Sequence, residues 1–230
     1  MASVGSSRQR VQVTRKSITD QVCEAVREMI LMGDLKPGQP VTQDGLAEAL
    51  AVSTMPVREA LQRLSYEGLV DSYPGRSYRV ASYGRQDLED IYWAHASLEA
   101  ELTRRAALHH GDSLVPALEA IHAKWTAPDV APEDYFTLNR DFHRLINRAA
   151  DSPKLLVLLR NTLNFIPQHL YLGLPTWSDV SLPGHRSIID AIAAGDGDKA
   201  AAAAREHVHE TGDLLLAHFE SLDYWKTEGN

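Results

Sequence analysis

Three polar side chains, Thr54, Arg58 and Gln62, recur every fourth residue in the segment 54–67, with Met55 beside the first. This spacing places them on one face of a helix. A hydroxyl, a guanidinium and a carboxamide on one face are groups that hydrogen-bond to base edges in the major groove, and a guanidinium contacts guanine through two bonds. We therefore expect this face to read double-stranded DNA, with Arg58 as its main contact.

The neighbouring segments supply the elements that would hold this face. Apolar residues repeat on the opposite side of the same helix, and a shorter amphipathic helix is predicted over 42–50. The turn-rich segment 73–77, between short apolar stretches, suits a small β-hairpin. Two short helices followed by a hairpin form a winged helix-turn-helix, which enters a DNA groove. Ser53 is expected to cap the second helix by accepting a backbone N–H bond.

Further DNA contacts are predicted on the flank of this helix and at the hairpin. Arg76 at the hairpin tip is expected to meet the DNA backbone or minor groove, and two other arginines are phosphate candidates. The alternatives are a surface ion pair for Arg58, with Glu59 or a neighbouring helix, and a solvated loop charge for Arg76. The full predicted set is Ser53, Thr54, Met55, Arg58, Gln62, Arg63, Gly75, Arg76 and Arg79.

Composition limits the class of protein. The chain has 230 residues, of which 44% are hydrophobic and 23% charged, so it can form proper globular cores. No apolar run approaches the roughly 20 residues that span a membrane, and the N-terminus lacks the apolar centre of a signal peptide. The single cysteine, Cys23, excludes an intrachain disulfide and fits a reducing cytoplasm.

Charge divides the chain into two unequal halves. Residues 1–85 carry 11 Lys and Arg against 9 Asp and Glu, whereas residues 86–230 carry 12 against 22, together with all ten histidines. This asymmetry predicts a mildly basic head and an acidic, histidine-rich second domain. The predicted organisation is a disordered arm at 1–16, a DNA-binding domain at 17–81, a linker at 82–86 and an all-α effector domain at 87–225.

The second half is predicted to be entirely helical. Apolar residues recur at helical spacing, glycine and proline mark the breaks, and no segment alternates like a strand. The fold class is therefore mostly α, with an N-terminal winged helix-turn-helix and a C-terminal helical bundle. The six predicted helices span about 87–110, 112–126, 132–151, 153–172, 184–194 and 196–224.

The first half contains an ordered series of motifs: Gly33 to Gly38, Leu46-Ala47, Val52-Ser53, Pro56 to Leu61, Arg63-Leu64, Glu67 to Val70, Pro74 and Arg76. With these motifs at the family's spacing, the first half resembles the GntR family of bacterial repressors, and the resemblance implies a DNA-binding domain of the kind deduced above. Three features depart from the family pattern: Thr54-Met55 stands where an arginine and a threonine are usual, Asp44 stands where some members read DNA with an arginine, and Arg76-Ser77 replaces the usual Arg-Gly of the wing.

The second half contains Leu98-Glu99, the run from Asn139 to His143, Gly195-Asp196 and Arg205 to His207. With these markers, residues 87–222 resemble the FCD effector domain of the FadR-like branch of that family. Many FCD domains bind a divalent metal ion through an Asp or Asn, a His one turn later and two further His residues. The resemblance assigns these roles to Asn139, His143, His185 and His207.

Sequence spacing provides a separate argument for this metal site. Asn139 and His143 are four residues apart and share a helix face, while His185 and His207 lie early in two later predicted helices that can reach the bundle centre. Three imidazoles and one oxygen suit Zn²⁺ or Ni²⁺. The alternative is that these histidines are solvated or hydrogen-bonded, as scattered histidines on acidic helices usually are.

An effector class follows from the expected metal ion. A cation held by neutral ligands keeps nearly its full positive charge and attracts a carboxylate, so the expected effector is a small organic acid. Relatives often carry an arginine where this chain has His95. Either the effector is less anionic than in those relatives, or the metal ion and another cation such as Arg148 do that work. The expected effector contacts are His95 and Arg148.

The sequence predicts a ligand-responsive, homodimeric transcriptional regulator that is cytoplasmic and binds a two-fold operator. Two alternatives remain open: a helical metalloenzyme with an appended DNA tether, and a structural zinc bundle without an effector. The chain contains neither a Gly-x-Ser-x-Gly nucleophile motif nor a phosphate-cradling glycine loop, so we expect no enzyme activity.

Overall fold

A computed structural model describes residues 17–74, 77–81, 84–163, 165, 174 and 176–221, except the side chains of Leu31, Pro132 and Glu133. The predicted arm at 1–16, the hairpin-tip residues Gly75 and Arg76, and two residues of the predicted linker lie outside this range. The described chain contains eight helices and three short strands. The predicted fold class is confirmed, since every strand lies in the N-terminal head and the remainder is a helical bundle.

The head consists of three helices and a three-stranded antiparallel sheet. The helices are α1 (Ile18–Leu31), α2 (Gln43–Ala49) and α3 (Thr54–Tyr66), and the strands are β1 (Pro40–Val41), β2 (Val70–Tyr73) and β3 (Ser77–Val80). The sheet order is β1-β3-β2, and Tyr73 pairs with Ser77 next to the turn. The hairpin strands are therefore longer than predicted, and β1 is an additional strand.

Local sequence explains where the head helices begin and end. The hydroxyl of Ser17 accepts the backbone N–H of Asp20, whose carboxylate accepts the N–H of Ser17 in return, forming a capping box. Thr42 caps α2 in a similar way. After α1, Gly33 adopts a φ of +80°, a conformation that costs glycine little. These local interactions set the ends of α1 and α2, whose apolar faces pack into one buried core.

The second half is a bundle arranged around one long helix. Its helices are α4 (Arg85–Trp125), α5 (Pro132–Ala149), α6 (Pro153–Leu163), α7 (Trp177–Ala193) and α8 (Gly197–Ser221). Helix α4 packs against all four of the others, most extensively against α8. Side chains from α4, α5, α7 and α8 can therefore converge on one point in the bundle.

One predicted helix break was wrong. Gly111-Asp112 was expected to separate two helices, but α4 continues through both residues. A Cβ atom at Gly111 would lie 3.0 Å from the carbonyl oxygen of Ile192. The glycine therefore allows α4 to approach the end of α7 closely, and packing outweighs its low helix propensity of about 1 kcal/mol.

The predicted start of α7 was also wrong. The helix was expected from residue 184, but it begins at Trp177 and includes Pro183. Trp177 is buried and its ring lies 5.5 Å from that of Trp125. Burial of this first turn offsets the hydrogen bond that proline removes. Helix α6 ends at Leu163, and the rest of its predicted span lies mostly outside the described residues.

The head and the bundle have separate hydrophobic cores. One described residue of the second half, Phe165, packs against the head core just after α6 ends. The exact domain and linker boundaries stay predictions. No helix in the described part of the chain is both long and apolar enough to cross a membrane.

Candidate DNA-binding face and candidate metal centre

Helix α3 has the two-faced character that its sequence predicts. Val57, Ala60, Leu61 and Leu64 have no solvent exposure and fill the head core. The opposite face exposes the predicted DNA-contacting residues Ser53, Thr54, Met55, Arg58 and Gln62. Ser53 lies at the N-cap position, but its side chain makes no capping hydrogen bond, so that part of the prediction was wrong. The Ser53 hydroxyl therefore accepts no hydrogen bond from the first backbone N–H groups of α3.

Arg58 is exposed and has no ion pair within the described part of the chain. The alternative partner Glu59 instead accepts a hydrogen bond from the hydroxyl of Thr19, at 3.0 Å. The guanidinium of Arg58 is thus available to an external partner. This geometry favours the DNA-contacting interpretation over a surface ion pair.

Two other predicted contacts already have partners in the head. Arg63 donates to the carboxylate of Asp20 at 2.6 Å, and hydrogen bonds from Arg63 and Ser17 lower the pKa of Asp20 to about 2. Arg79 donates to the carbonyl oxygen of Gly38 at 3.0 Å. Both guanidinium groups therefore have to share or exchange a partner to meet a phosphate. Gly75 and Arg76 lie outside the described residues.

A cavity of about 250 Å³ lies between α4, α5, α6 and α8, below the range of about 300–1,000 Å³ usual for drug-sized ligands. Its wall is mainly apolar, with Leu156, Leu159 and Leu163 from α6 and Val208 from α8. Polar side chains from α4, α5 and α8 face its inner end. The cavity therefore suits a small ligand that carries at least one polar group.

Three of the four predicted metal ligands form a cluster beside this cavity; His143 and His207 line it, whereas His185 does not. One ligand atom from each of His143, His185 and His207 lies within 4.8 Å of the others. The Nε2 atoms of His143 and His207 are 3.3 Å apart. Two nitrogens bound to one metal ion at about 2.1 Å would be separated by about 3.0–3.4 Å for octahedral to tetrahedral angles, so this spacing fits shared coordination.

The environment of these histidines also fits a metal ion. Both ring nitrogens of His185 and Nδ1 of His207 are buried without a hydrogen-bond partner, which is costly for a polar group. Burial lowers the pKa of His185 well below its usual value, and burial together with His143 lowers the pKa of His207 to about 3. Neutral imidazoles with free lone pairs are the form that binds metal.

Close packing holds these rings in place. The ring of His185 stacks on Phe142 at 3.9 Å between centroids, and His207 stacks on His143 at 5.2 Å. Gly184 lies beside His207, where a Cβ atom would come within 2.5 Å of Nδ1. The absence of a side chain at Gly184 therefore makes room for the His207 ring.

The structure brings the other predicted sensor residues to the same cavity. Asn139, one turn before His143, lines it together with His95 and Arg148. His95 is buried, which lowers its pKa to about 4, and its Nδ1 lies 2.8 Å from the hydroxyl of Thr162. Since that hydroxyl donates to the carbonyl of Leu159, it accepts from the Nδ1–H of His95.

Sequence reasoning missed two groups at the cavity. Arg140 and Arg144 precede Arg148 at four-residue intervals on α5, and Arg160 joins them from α6. The spacing of the first three was a usable signal, since it matches that of Asn139 and His143 on the same helix. The buried carboxylate of Glu99 also faces the cavity. In the sequence, Glu99 is marked only by the Leu98-Glu99 pair of the family resemblance, which indicates no role at the cavity.

The head and the bundle together define a DNA-binding regulator: a winged helix-turn-helix with an exposed reading face, joined to an all-α domain with a ligand-sized cavity. A family model for bacterial regulatory proteins of the gntR family matches residues 18–80, and the FCD domain model matches residues 90–210. The chain belongs to the GntR family and carries an FCD effector domain. It is a transcriptional regulator and not an enzyme, which excludes the metalloenzyme alternative.

Similar proteins agree with this assignment. The chain is 31% identical over 204 residues to a probable D-xylose utilization operon transcriptional repressor of Paenarthrobacter nicotinovorans, covering 86% of this chain and 88% of that one. It is 25% identical over 215 residues to the HTH-type transcriptional repressor RspR of Escherichia coli, covering 92% and 94%. Its relatives thus include repressors.

Solved structures share the fold. The structure of E. coli McbR/YncC matches with a TM-score of 0.65 at 20% identity, covering 89% of this chain and 100% of that one. A putative GntR regulator from Rhodococcus sp. RHA1 matches with a TM-score of 0.56 at 22% identity, covering 86% and 97%. At these identities the likeness concerns the fold alone.

Proposed function

We propose that this protein is a homodimeric, ligand-responsive repressor that binds a two-fold operator in the cytoplasm and senses a small organic acid at a metal centre. The main supporting observation is the cluster of His143, His185 and His207, two of which line a cavity bordered by arginines. Each part of the proposal has its own physical basis.

The DNA part depends on the exposed face of α3 and on the use of two heads. Residues 1–85 have only two more basic than acidic side chains, and Arg63 and Arg79 already have partners within the head. A single head would therefore bind duplex DNA weakly. Two heads on one dimer raise the effective concentration at a second half-site, and a two-fold dimer matches a two-fold operator.

The sensor part depends on the three histidines and on Asn139, which would hold a divalent ion such as Zn²⁺ or Ni²⁺. With neutral ligands the ion would supply a net positive charge next to the cavity. The amide oxygen of Asn139 is a weaker donor than a carboxylate, so we expect moderate affinity. The unpartnered ring nitrogens of His185 are the feature that most favours this interpretation.

An anionic effector fits the charges around the cavity. Four arginines line it, and Arg148 and Arg160 have no ion pair within the described part of the chain. Arg140 and Arg144 share one carboxylate, that of Asp141. His95, neutral at physiological pH, offers a hydrogen-bonding edge in place of a charge. A small carboxylic acid can thus meet cations at both ends of the cavity.

Effector binding could reach the head through α6. This helix supplies three leucines and Arg160 to the cavity wall, and it contacts α4 through the hydrogen bond between Thr162 and His95. Two residues after α6 ends, Phe165 packs against the head core. A ligand that shifts α6 would therefore alter the support of the DNA-binding domain, which links the two sites.

The test combines metal loading, melting and DNA binding. We expect protein stripped of metal to gain thermal stability with Zn²⁺ or Ni²⁺, and the loaded protein to gain more with one member of a panel of small carboxylic acids. The same acid should change operator affinity in a gel-shift titration. His143→Ala should abolish the metal-dependent gain, with His218→Ala, a half-buried histidine of α8 outside the cluster, as the matched control.

Two outcomes would contradict the proposal at different points. If neither metal ion stabilises the wild-type protein, the metal centre is wrong. If metal binds but no acid in the panel changes DNA affinity, a purely structural metal site becomes the better description.

A further inference from the structure

Glu99 is a buried carboxylate that the DNA-binding function leaves unexplained. It lies in the middle of α4 with 3% exposure. Its Oε1 accepts a hydrogen bond from Nδ2 of Asn147 at 3.0 Å, whereas its Oε2 is buried without a hydrogen-bond partner. An ionised carboxylate with an unused acceptor is costly inside a protein. It would also repel an anionic effector, so its position beside the cavity needs a physical reason.

A group placed to satisfy Oε2 is His143. Its Nδ1 lies 3.8 Å from Oε2, slightly beyond hydrogen-bond distance. The other nitrogen of the same ring, Nε2, faces Nε2 of His207 at 3.3 Å. The ring of His143 therefore stands between a carboxylate on one side and the histidine cluster on the other.

This arrangement determines which nitrogen can bind a metal ion. A neutral imidazole carries one proton, and a carboxylate next to Nδ1 favours the tautomer with the proton on Nδ1. The lone pair is then on Nε2, on the side of His207 and the cluster. The other nearby histidine does not compete for Glu99 through Nδ1, because Nδ1 of His95 donates to Thr162.

We propose that Glu99 is the positioning residue of the metal centre, and this inference rests on the proposed function. Glu99 accepts the Nδ1–H of His143, holds the ring in the metal-binding tautomer and increases the basicity of Nε2. Asn147, one turn after His143 on α5, fixes the other carboxylate oxygen and prevents the group from turning away. The negative charge also offsets part of the charge of a bound divalent ion.

The decisive variant is Glu99→Gln, which keeps the size of the side chain and an oxygen for Asn147. Its amide would present N–H groups to Nδ1 of His143 and so favour the opposite tautomer, with the lone pair on the wrong nitrogen. Loss of such a partner typically weakens metal binding about 10–100-fold. We expect that change in the Zn²⁺ dissociation constant, measured by competition with a chromophoric chelator.

Glu101→Gln is the matched control, because Glu101 lies on the same helix but pairs with Arg104 and Arg105 away from the cavity. It should bind Zn²⁺ like the wild type. The metal-free melting temperature of Glu99→Gln should be unchanged or raised, since a buried charge is removed. A purely structural role predicts a lower metal-free melting temperature with unchanged zinc affinity, and that pair of results would overturn the inference.

A measurement on the wild-type protein keeps the inference testable if Glu99→Gln does not fold. Nitrogen-15 NMR of the imidazole rings should show His143 protonated at Nδ1 both without and with Zn²⁺. A proton on Nε2, or coordination through Nδ1, would contradict the proposed role. Wild-type protein that binds no zinc would overturn the metal centre itself, whereas equal affinity of wild type and Glu99→Gln would overturn only the role of Glu99.

Discussion

Gly184→Ala should disable the metal centre without changing any proposed ligand. The added Cβ atom would lie 2.5, 3.0 and 3.1 Å from Nδ1, Cγ and Cβ of His207. Rotation of the ring cannot relieve all three contacts, because the third involves the base of the side chain. His207 is also buried and stacked on His143. The imidazole must therefore move, whereas a working site tolerates displacements of only about 0.5 Å.

The effect of Gly184→Ala on the stability of the metal-free protein can be separated from its effect on the stabilisation by zinc. Overpacking costs about 1–3 kcal/mol, while alanine in place of glycine inside a helix returns about 0.5–1 kcal/mol. Metal-free Gly184→Ala should therefore be destabilised by at most about 2.5 kcal/mol. If the proposed centre binds zinc, the ion at 100 times its dissociation constant should stabilise the wild type by about 2.7 kcal/mol. We expect most of that gain to disappear in the variant.

The assay is a thermal melt of chelator-treated protein with and without Zn²⁺, together with metal analysis after dialysis. For a chain of this length the wild-type gain corresponds to about 5–10 °C. Gly197→Ala is the control, since its Cβ atom would also collide, with Leu108 at 2.8 Å, but far from the histidines. A full zinc-dependent shift in Gly184→Ala would refute the position assigned to His207.

Three further predictions concern other parts of the molecule. Arg58→Ala should weaken operator binding by about 1–3 kcal/mol in a gel-shift titration, and unchanged affinity would count against the reading face. His95 has a folded pKa of about 4, below its unfolded value of about 6.5, so the unfolded chain binds the extra proton between these values. The unfolding free energy of metal-free protein should therefore fall as pH drops through this window, and His95→Gln should reduce the slope by about 1.4 kcal/mol per pH unit; equal slopes in denaturant titrations would contradict this. Phe165→Ala should leave zinc affinity intact but reduce the effect of a bound acid on operator affinity, and an undiminished effect in gel shifts would exclude α6 as the connection.

The sequence was most informative where one helix carries both a buried and an exposed face. Helical periodicity alone predicted the apolar side of α3, because Val57, Leu61 and Leu64 recur with the period of the helix. The histidine cluster required the family resemblance as well, since His143, His185 and His207 lie on three helices and spacing cannot show how these helices pack.

The failures of sequence interpretation have a common physical origin in tertiary packing. Gly111 looks like a helix end in sequence, but close approach to α7 keeps it helical. Pro183 looks like a break, yet the buried turn at Trp177 extends the helix before it. Glu99 and Arg160 gave no local signal, because their importance depends on which other helices they face. Local propensity is a weak guide at such positions.

The continuity of α4 limits the motions by which this regulator can respond. At about 1.5 Å per residue, the 41 residues form a rod about 60 Å long, and Glu99 lies about 21 Å along the axis from Arg85. Without a joint near the cavity, the turns that carry His95 and Glu99 move with the end nearest the DNA-binding domain. A tilt of about 5° would displace Arg85 by about 2 Å. In the proposed mechanism the rod would act as a lever, through which a ligand small enough for the cavity would reposition a domain much larger than itself.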